Sequence, residues 1–345
     1  MRDRHAATTR AATQAVTPAP GRPHDVTRRT HVNGSPESLA PTTRLLHTAD
    51  WHLGKRLHDF PLIDVQRDLV ESLVALAAEL RPDALLVAGD VFDTGQPSVA
   101  ALEVWAFALA SLAKAGIPVI AISGNHDHAE RLGHLGPITQ ASQVHLRTAV
   151  EQVTEPVLIG HTAIYGLPFA RPARVRSAFA LSSEDRPTFE DADALAYLTE
   201  RARSHHAEHH ADRTPVALAH AFVEGGGSED EGEDPIVVGG AGAVPSSVFE
   251  GFAYTALGHL HAPRSIADGR LRYAGSLYPT SFAEAGHTKS VSLVTVQGDQ
   301  ATVEEHPLVP RRQMRILEHV TFDEALARAE AEPPSIRDAY TLVRV

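Results

Sequence analysis

Five short clusters of carboxylate, amide and imidazole side chains punctuate this sequence, and each one closes a run of apolar residues. In chain order they are Asp50-Trp-His52, Gly89-Asp90-Val-Phe-Asp93, Gly124-Asn125-His126-Asp127, a lone His220, and Gly258-His259-Leu-His261. In extended backbone, residues two apart point the same way, so Asp50 and His52 can share one cation, and so can His259 and His261. Gly89 permits a sharp exit before Asp90, whose two oxygens can bridge a pair of ions. Asn125 offers a neutral oxygen ligand, while the adjacent His126 projects to another side, towards a substrate. Taken alone, His220 reads as a hydrogen-bonded core histidine sooner than as a ligand. Two imidazoles brought together at 259 and 261 are costly unless something pairs with them, and a metal is the usual partner. Together the clusters supply two carboxylates, an amide and four imidazoles. Oxygen and nitrogen donors without thiolate favour Mn²⁺, Fe or Zn²⁺ over copper(I) or iron–sulfur chemistry. Two such cations roughly 3.5–4 Å apart serve an in-line phosphoryl displacement, stabilising the attacking and leaving oxygens and acidifying a water, so no Ser or Cys nucleophile is needed.

The elements that must position these residues follow from periodicity. Residues 44–48 form a short strand, 62–80 carry helical spacing (Val65, Leu69, Leu73, Leu76, Leu80), and 84–88 are an apolar strand. A second helix covers 98–115 and a third strand 118–122. The pattern is β-loop-α repeated, with polar residues just past each strand's C-terminal end, where open α/β sheets place their sites. The second half is richer in strands, at 156–159, 162–166, 216–219, 252–257, 270–273, 291–296 and 301–306, with its clearest helix at 190–204. The expected fold is α/β, two packed sheets flanked by helices, with a dimetal site at the strand ends.

Composition narrows the classes. The 345 residues hold 31 Lys and Arg against 43 Asp and Glu, a net charge of −12, with 43% hydrophobic residues and no cysteine. The apolar fraction suffices for a sizeable core. Absence of Cys excludes a disulfide scaffold, an iron–sulfur site and a Cys nucleophile, and suits a reducing cytoplasm. A net charge of −12 argues against coating nucleic acid by bulk charge, though not against local contact through metals. The run 104–122 is broken by Lys114 and Pro118 and is no membrane segment, and Arg28-Arg29 has no apolar stretch after it. Residues 1–42 are rich in Ala, Thr, Pro, Arg and His without periodicity and read as a disordered tail or an upstream start. The acidic, Gly-rich run 224–234 reads as a solvated excursion.

The order DxH, GDxxD, GNHD, lone His and GHxH resembles the calcineurin-like metallophosphoesterase superfamily. More closely, His47-Thr-Ala-Asp-Trp-His-Leu-Gly54, Gly89-Asp-Val-Phe-Asp-Thr-Gly95 and Tyr254-Thr-Ala-Leu-Gly-His-Leu-His261 are similar to the SbcD-type bacterial nucleases. So is Tyr273-Ala-Gly-Ser-Leu-Tyr-Pro-Thr-Ser-Phe-Ala-Glu284 followed by Lys289-Ser-Val, a stretch read as having no metal role. The resemblance implies an αββα sandwich over 43–308 and two divalent cations, Mn²⁺ foremost. One cation would sit on Asp50, His52, Asp90 and His261, the other on Asp90, Asn125, His220 and His259. It implies His126 as general acid, and Asp93 as the carboxylate that orients it and raises its pKa; a capping or loop-closing role for Asp93 competes with that reading. It further implies a 3′→5′ exonuclease on duplex ends and an endonuclease on single strands and hairpins. Such an enzyme works in DNA repair and recombination as a homodimer within a heterotetramer with an SbcC-type ATPase. Residues 309–345 begin a small α+β cap with a helix at 321–331 and then stop within a strand, which reads as truncated and places ATPase binding in question. A small-molecule phosphodiesterase on the same scaffold, and a catalytically poor structural partner of an ATPase, are the competing readings.

Other polar features have two readings each. His205/His209 and His206/His210 stand at i, i+4 on a helix, as a zinc site or a solvated surface. Arg171, Arg174 and Arg176 could track a DNA backbone or be scattered surface charge. Lys55 and Arg56 follow the first cluster directly, where phosphate contact is expected, and Trp51 reads as packing.

Overall fold

Strand Thr42–Thr48 shows how this sequence makes a layered fold: alternate side chains enter different cores. Leu45 joins a cluster with Leu86, Ile120, Ile164, Val216 and Leu218, whereas Leu46 joins Leu69, Leu73, Leu85, Val119 and Trp105 on the opposite face. Strands buried on both faces read as continuous apolar runs, as Ala84–Ala88 and Val119–Ile122 do. A computed structural model describes residues 41–182, 184, 187–225, 242–333 and 338–344. Residues 1–40 of the tail expected at 1–42, and most of the acidic run at 224–234, lie outside the described residues, while Thr42 already opens the first strand.

The strands in order are β1 (Thr42–Thr48), β2 (Arg56–Leu57), β3 (Phe60–Pro61), β4 (Ala84–Ala88), β5 (Val119–Ile122), β6 (Val144–Leu146), β7 (Val157–Ile159), β8 (Thr162–Leu167), β9 (Thr214–His220), β10 (Tyr254–Gly258), β11 (Arg264–Ile266), β12 (Leu271–Tyr273), β13 (Ser290–Gln297), β14 (Gln300–Pro307), β15 (Met314–Glu318) and β16 (Tyr340–Arg344). The helices are α1 (Ile63–Leu80), α2 (Val99–Lys114), α3 (Ala129–Gly133), α4 (Gly136–Thr139), α5 (Pro172–Ala178), α6 (Asp191–His209) and α7 (Phe322–Ala331).

One six-stranded sheet runs β14-β13-β1-β4-β5-β6 and the other β11-β12-β10-β9-β8-β7. Within the first, β1, β4, β5 and β6 are parallel; within the second, β8, β9, β10 and β12 are. The inner faces meet through Leu45, Leu86, Ile122, Ile164, Leu218 and Tyr254. Helices α1 and α2 cover the outer face of the first sheet through Leu69, Leu73, Val104 and Trp105, and α6 covers the second through Leu195, Leu198 and Ala202. The expected α/β sandwich of two helix-flanked sheets is the observed fold.

Sequence periodicity had missed β6 and β11, which are three residues each, and α5, whose seven residues hold the basic stretch. Helix α6 runs five residues past the expected end and takes in His205, His206 and His209. After β14, strands β15 and β16 pair in parallel with α7 between them, and Met314 and Tyr340 pack on the outer core of the first sheet. Among the described residues no helix is long and apolar enough to cross a membrane.

Candidate metal centre

The C-terminal ends of five strands converge. Strands β1, β4 and β5 deliver Asp50 and His52, Asp90, and Asn125 with His126; β9 ends on His220, and β10 leads into His259 and His261. Past the strand ends the first two loops keep pairing, with Asp50 N donating to Gly89 O at 3.1 Å and His52 N to Asp90 O at 3.0 Å.

The backbone here differs from the extended chain expected around the first and fifth clusters. Asp50, His52, Asp90 and His259 have φ of 51°, 43°, 48° and 107°, a region that non-glycine residues rarely occupy. Left-handed kinks, not strand alternation, therefore bring Asp50 and His52 into one group. Such strain persists where the surroundings enforce it and gathers at functional sites. Close approach of main chains adds a second constraint. A Cβ on Gly124 would stand 2.1 Å from Asp90 Oδ1 and 2.5 Å from Asp90 N, and one on Gly258 would stand 2.0 Å from Ala88 O.

The donors draw together from both sheets. His52 Nε2 lies 3.1 Å from His261 Nε2 and 3.7 Å from Asp90 Oδ2. His220 Nε2 lies 2.9 Å from Asn125 Oδ1 and 3.4 Å from the same Asp90 Oδ2, while His259 Nδ1 lies 3.1 Å from Asn125 Oδ1. Asp50 accepts from His259 N through both oxygens at 3.0 and 3.1 Å. Among the described residues three groups have the spread of a metal site: Asp50 with His52 and His261, Asp50 with Asp90 and His220, and His52 with Asp93 and His126. All seven residues named as ligands thus lie in one centre, with Asp90 Oδ2 between its two halves.

A donor inventory tests whether cations fit. His220 Nδ1 donates to Ala88 O at 2.8 Å, so the Nε2 of a neutral ring presents a lone pair to the Asn125 and Asp90 oxygens. His261 Nδ1 meets Glu284 Oε1 at 2.9 Å, which leaves its Nε2 facing His52 Nε2. Acceptors turned on acceptors in a buried site need a cation or extra protons, and the donor set suits Mn²⁺, Fe or Zn²⁺.

Electrostatics agree. Burial pushes the Asp50 carboxyl up. Burial also works against ionised Asp90, yet the imidazoles of His220 and His52 hold it well below the usual carboxylate range. Against the same desolvation, His220 is drawn up to about 9 by Asp90 and Asp50, and burial beside His220 takes His259 down to about 3.

His126 stands beside this cluster, its ring 4.8 Å from that of His52. Its Nδ1 donates to the main-chain carbonyl of Asp93 at 2.8 Å. The expected carboxylate partner is therefore corrected: Asp93 orients His126 through its backbone. Its side chain instead meets Lys55 Nζ at 3.3 Å and His52 Nδ1 at 3.6 Å, and these groups outweigh burial to lower its pKa. An interior carbonyl fixes the His126 tautomer as well as a carboxylate would, without its charge.

Three residues gain roles that spacing alone had not assigned. Asp127 accepts from Val91 N, Phe92 N and Gly124 N at 3.1, 3.0 and 3.0 Å, tying together the loops that carry Asp90 and Asn125. Burial and the neighbouring Asp90 charge push its carboxyl up to about 6. Glu284 and Lys289 form a buried ion pair behind His261. Burial opposes ionised Glu284, but His261 and Lys289 hold it well below the usual range. The stretch 273–289 therefore does touch the metal centre, through His261. A lone carboxylate and a lone lysine among small and apolar residues were the signal for it.

The remaining polar features sort themselves by contact. Trp51 is buried against Trp105 and donates to Thr48 Oγ1 at 3.0 Å, as packing. Arg56 reaches the carbonyl of Asp59. Arg174 makes a two-pronged pair with Glu151, Arg176 lies 4.7 Å over the Phe189 ring, and Arg171 lines a cavity of about 320 Å³ shared with Asn125, Asp127 and Phe169. The rings of His205 and His209 are 4.6 Å apart and His205 Nδ1 meets Tyr165 OH at 3.3 Å, but among the described residues they join no metal-holding group of three.

The family model for calcineurin-like phosphoesterases matches residues 43–263. Among solved structures, TT1561 of Thermus thermophilus is similar over 77% of this chain and 99% of its own, at 13% identity and a TM-score of 0.44. A dimetal phosphatase from Danio rerio is similar over 78% of this chain and 99% of its own, at 12% identity and a TM-score of 0.41.

Proposed function

This chain belongs to the calcineurin-like phosphoesterase family, and we propose that within it the chain is a Mn²⁺-dependent DNA nuclease of SbcD type. The substrates of that reading are duplex ends, degraded 3′→5′, and single strands and hairpins, cut internally. The setting is DNA repair and recombination in the cytoplasm, as a homodimer joined to an SbcC-type ATPase. The observation that carries the step from phosphoester to DNA is the stretch 273–289. It resembles the nucleases in residue order, and its Glu284 and Lys289 bond into His261, so it belongs to the working part of the molecule.

Asp50, His52, Asp90 and His261 would hold one cation, and Asp90, Asn125, His220 and His259 the other. Bound there, the pair would supply Lewis acidity to the phosphoryl oxygens and acidify the attacking water. The chain's own residues do the rest. His126 keeps its Nδ1 proton on the Asp93 carbonyl, which leaves Nε2 to carry a proton to the departing deoxyribose oxygen. Asp127 fixes the spacing of the Asp90 and Asn125 loops, so that neither donor must reorganise when charge develops. Lys55, beside Asp93, puts positive charge at the rim where a phosphodiester backbone would pass.

One observation favours a second reading, a small-molecule phosphoesterase. The cavity beside Asn125 and Asp127, with Phe169 and Arg171 in its wall, has room for a compact phosphorylated ligand. Cleavage of an end-labelled DNA hairpin in Mn²⁺, with His126→Ala and bis-p-nitrophenyl phosphate in parallel, separates the two. Hairpin cleavage that disappears in His126→Ala, with its metal retained, is the expected result. Turnover of the small diester while DNA stays intact transfers the assignment to the second reading.

A further inference from the structure

His261 is gripped from behind by buried polar groups, none of which is itself placed to ligate a cation. Glu284 Oε1 meets His261 Nδ1 at 2.9 Å and accepts from Thr280 Oγ1 at 2.5 Å. The other oxygen, Oε2, accepts from Lys289 Nζ and, at 3.4 Å, from Ser276 Oγ. Lys289 Nζ also donates to Ser276 Oγ and to the main-chain carbonyl of His261, both at 2.9 Å. Glu284 and Lys289 are each 3% exposed. Taking two charges out of water costs several kcal/mol per ion, and a well-packed apolar pair would serve stability as well or better. An apolar pair could not hold a proton on His261 Nδ1.

In the other half the carboxylate near His220 Nδ1, Asp50 Oδ1, stands 3.8 Å away, beyond hydrogen-bond reach. His220 Nδ1 is held at 2.8 Å by the neutral carbonyl of Ala88, and His259 is anchored through its main-chain N on Asp50. Either acceptor fixes the tautomer, but a charged one on one ring nitrogen raises the basicity of the other more than a neutral carbonyl does. We infer that Glu284 is a positioning residue for His261, and that it makes the cation position of Asp50, His52 and His261 the tighter of the two. Lys289 keeps Glu284 in place by bridging its carboxylate to the His261 main chain. Glu284 acts through the imidazole and touches neither substrate nor reacting atoms. The inference needs the cations but not DNA as the substrate.

The test is calorimetric titration of Mn²⁺ into the chelator-stripped full chain, with the thermal midpoint of the stripped protein measured beside it. Wild type is expected to fill in two steps. In Glu284→Gln the tighter step should weaken roughly 10–100-fold while the weaker step stays within about twofold. Glu284→Asp keeps a charge for Lys289 but withdraws it from His261 Nδ1, and should weaken the same step. A lower midpoint with both steps unchanged would make the pair a structural staple and overturn the inference. So would equal weakening of both steps, or a wild type that takes up no Mn²⁺. Should Glu284→Gln fail to fold, the Glu284→Asp titration decides on the same readings.

Discussion

Replacing Asp127 by Ala tests the claim that the metal centre is assembled by loops tied to one another. Asp127 is the common acceptor for Val91 N, Phe92 N and Gly124 N at 3.0–3.1 Å. A bond to a charged acceptor is worth about 1.5–3 kcal/mol net, so three give a ceiling of roughly 4.5–9 kcal/mol. Asp127 is half-buried and borders an open cavity, so water can reach part of the vacated space. The lower bound for an orphaned donor, about 1 kcal/mol each, is then the better guide, for a loss of about 3 kcal/mol. Removing the carboxylate also relieves its repulsion with Asp90, which pulls the figure down, not up. Urea unfolding of the chelator-stripped protein at pH 7.5 measures the loss, and Asp127→Asn, which keeps one accepting oxygen, should lose less than Ala. Because the freed loops carry Asp90 and Asn125, Mn²⁺ uptake should fall together with stability. An Ala variant within about 0.5 kcal/mol of wild type, the ordinary scatter of surface substitutions, would refute the tie.

Gly124→Ala places a methyl against Asp90 Oδ1 and Asp90 N; overpacking of this kind costs about 1–3 kcal/mol, and Asp90 must move, so Mn²⁺ content after dialysis should drop. Wild-type content and stability would show that the loops yield. Asp93→Asn leaves the main-chain carbonyl on His126, so turnover should fall by less than the roughly 10²–10⁴-fold carried by a general acid, with both cations kept. A lost cation would instead place Asp93 among the ligands. His47 bonds to Tyr254 OH and Leu257 O, and burial, with Arg272 nearby, lowers its pKa from 6.5 to about 3. The folded protein keeps this ring neutral while the unfolded chain protonates below 6.5. Its contribution is therefore present above pH 6.5 and lost as pH falls towards 3, at roughly 1.4 kcal/mol per pH unit. Unfolding midpoints between pH 7 and 5 should fall less steeply in His47→Gln, and equal slopes would refute the assignment.

Much of the site was legible because its chemistry is local. A strand end followed by Asp-x-His, Gly-Asp or Gly-Asn-His is written within a few adjacent residues, and apolar runs of four or five announce the strands that place them. Seven candidate donor residues at five strand ends were therefore visible in the chain, as were the two-sheet architecture and the helices that cover it. What the residues at 50, 52, 90 and 259 could not announce was their left-handed backbone, since that conformation is imposed by neighbouring loops and not by the side chains themselves.

Partners far apart in the chain were the other silent part. Asp93 carries a carboxylate at a spacing that suggests an acid's helper, yet tertiary packing turned its carbonyl to His126 and its side chain to Lys55 and His52. Glu284 and His261 are 23 residues apart, and nothing in either short motif says that one holds the other's proton. By itself, then, the sequence determined which donors exist and that strand ends would carry them. The tertiary structure decided which atom of each residue faces the centre and which groups buttress it, because hydrogen-bond direction and burial depend on elements that meet only when both sheets close on one another.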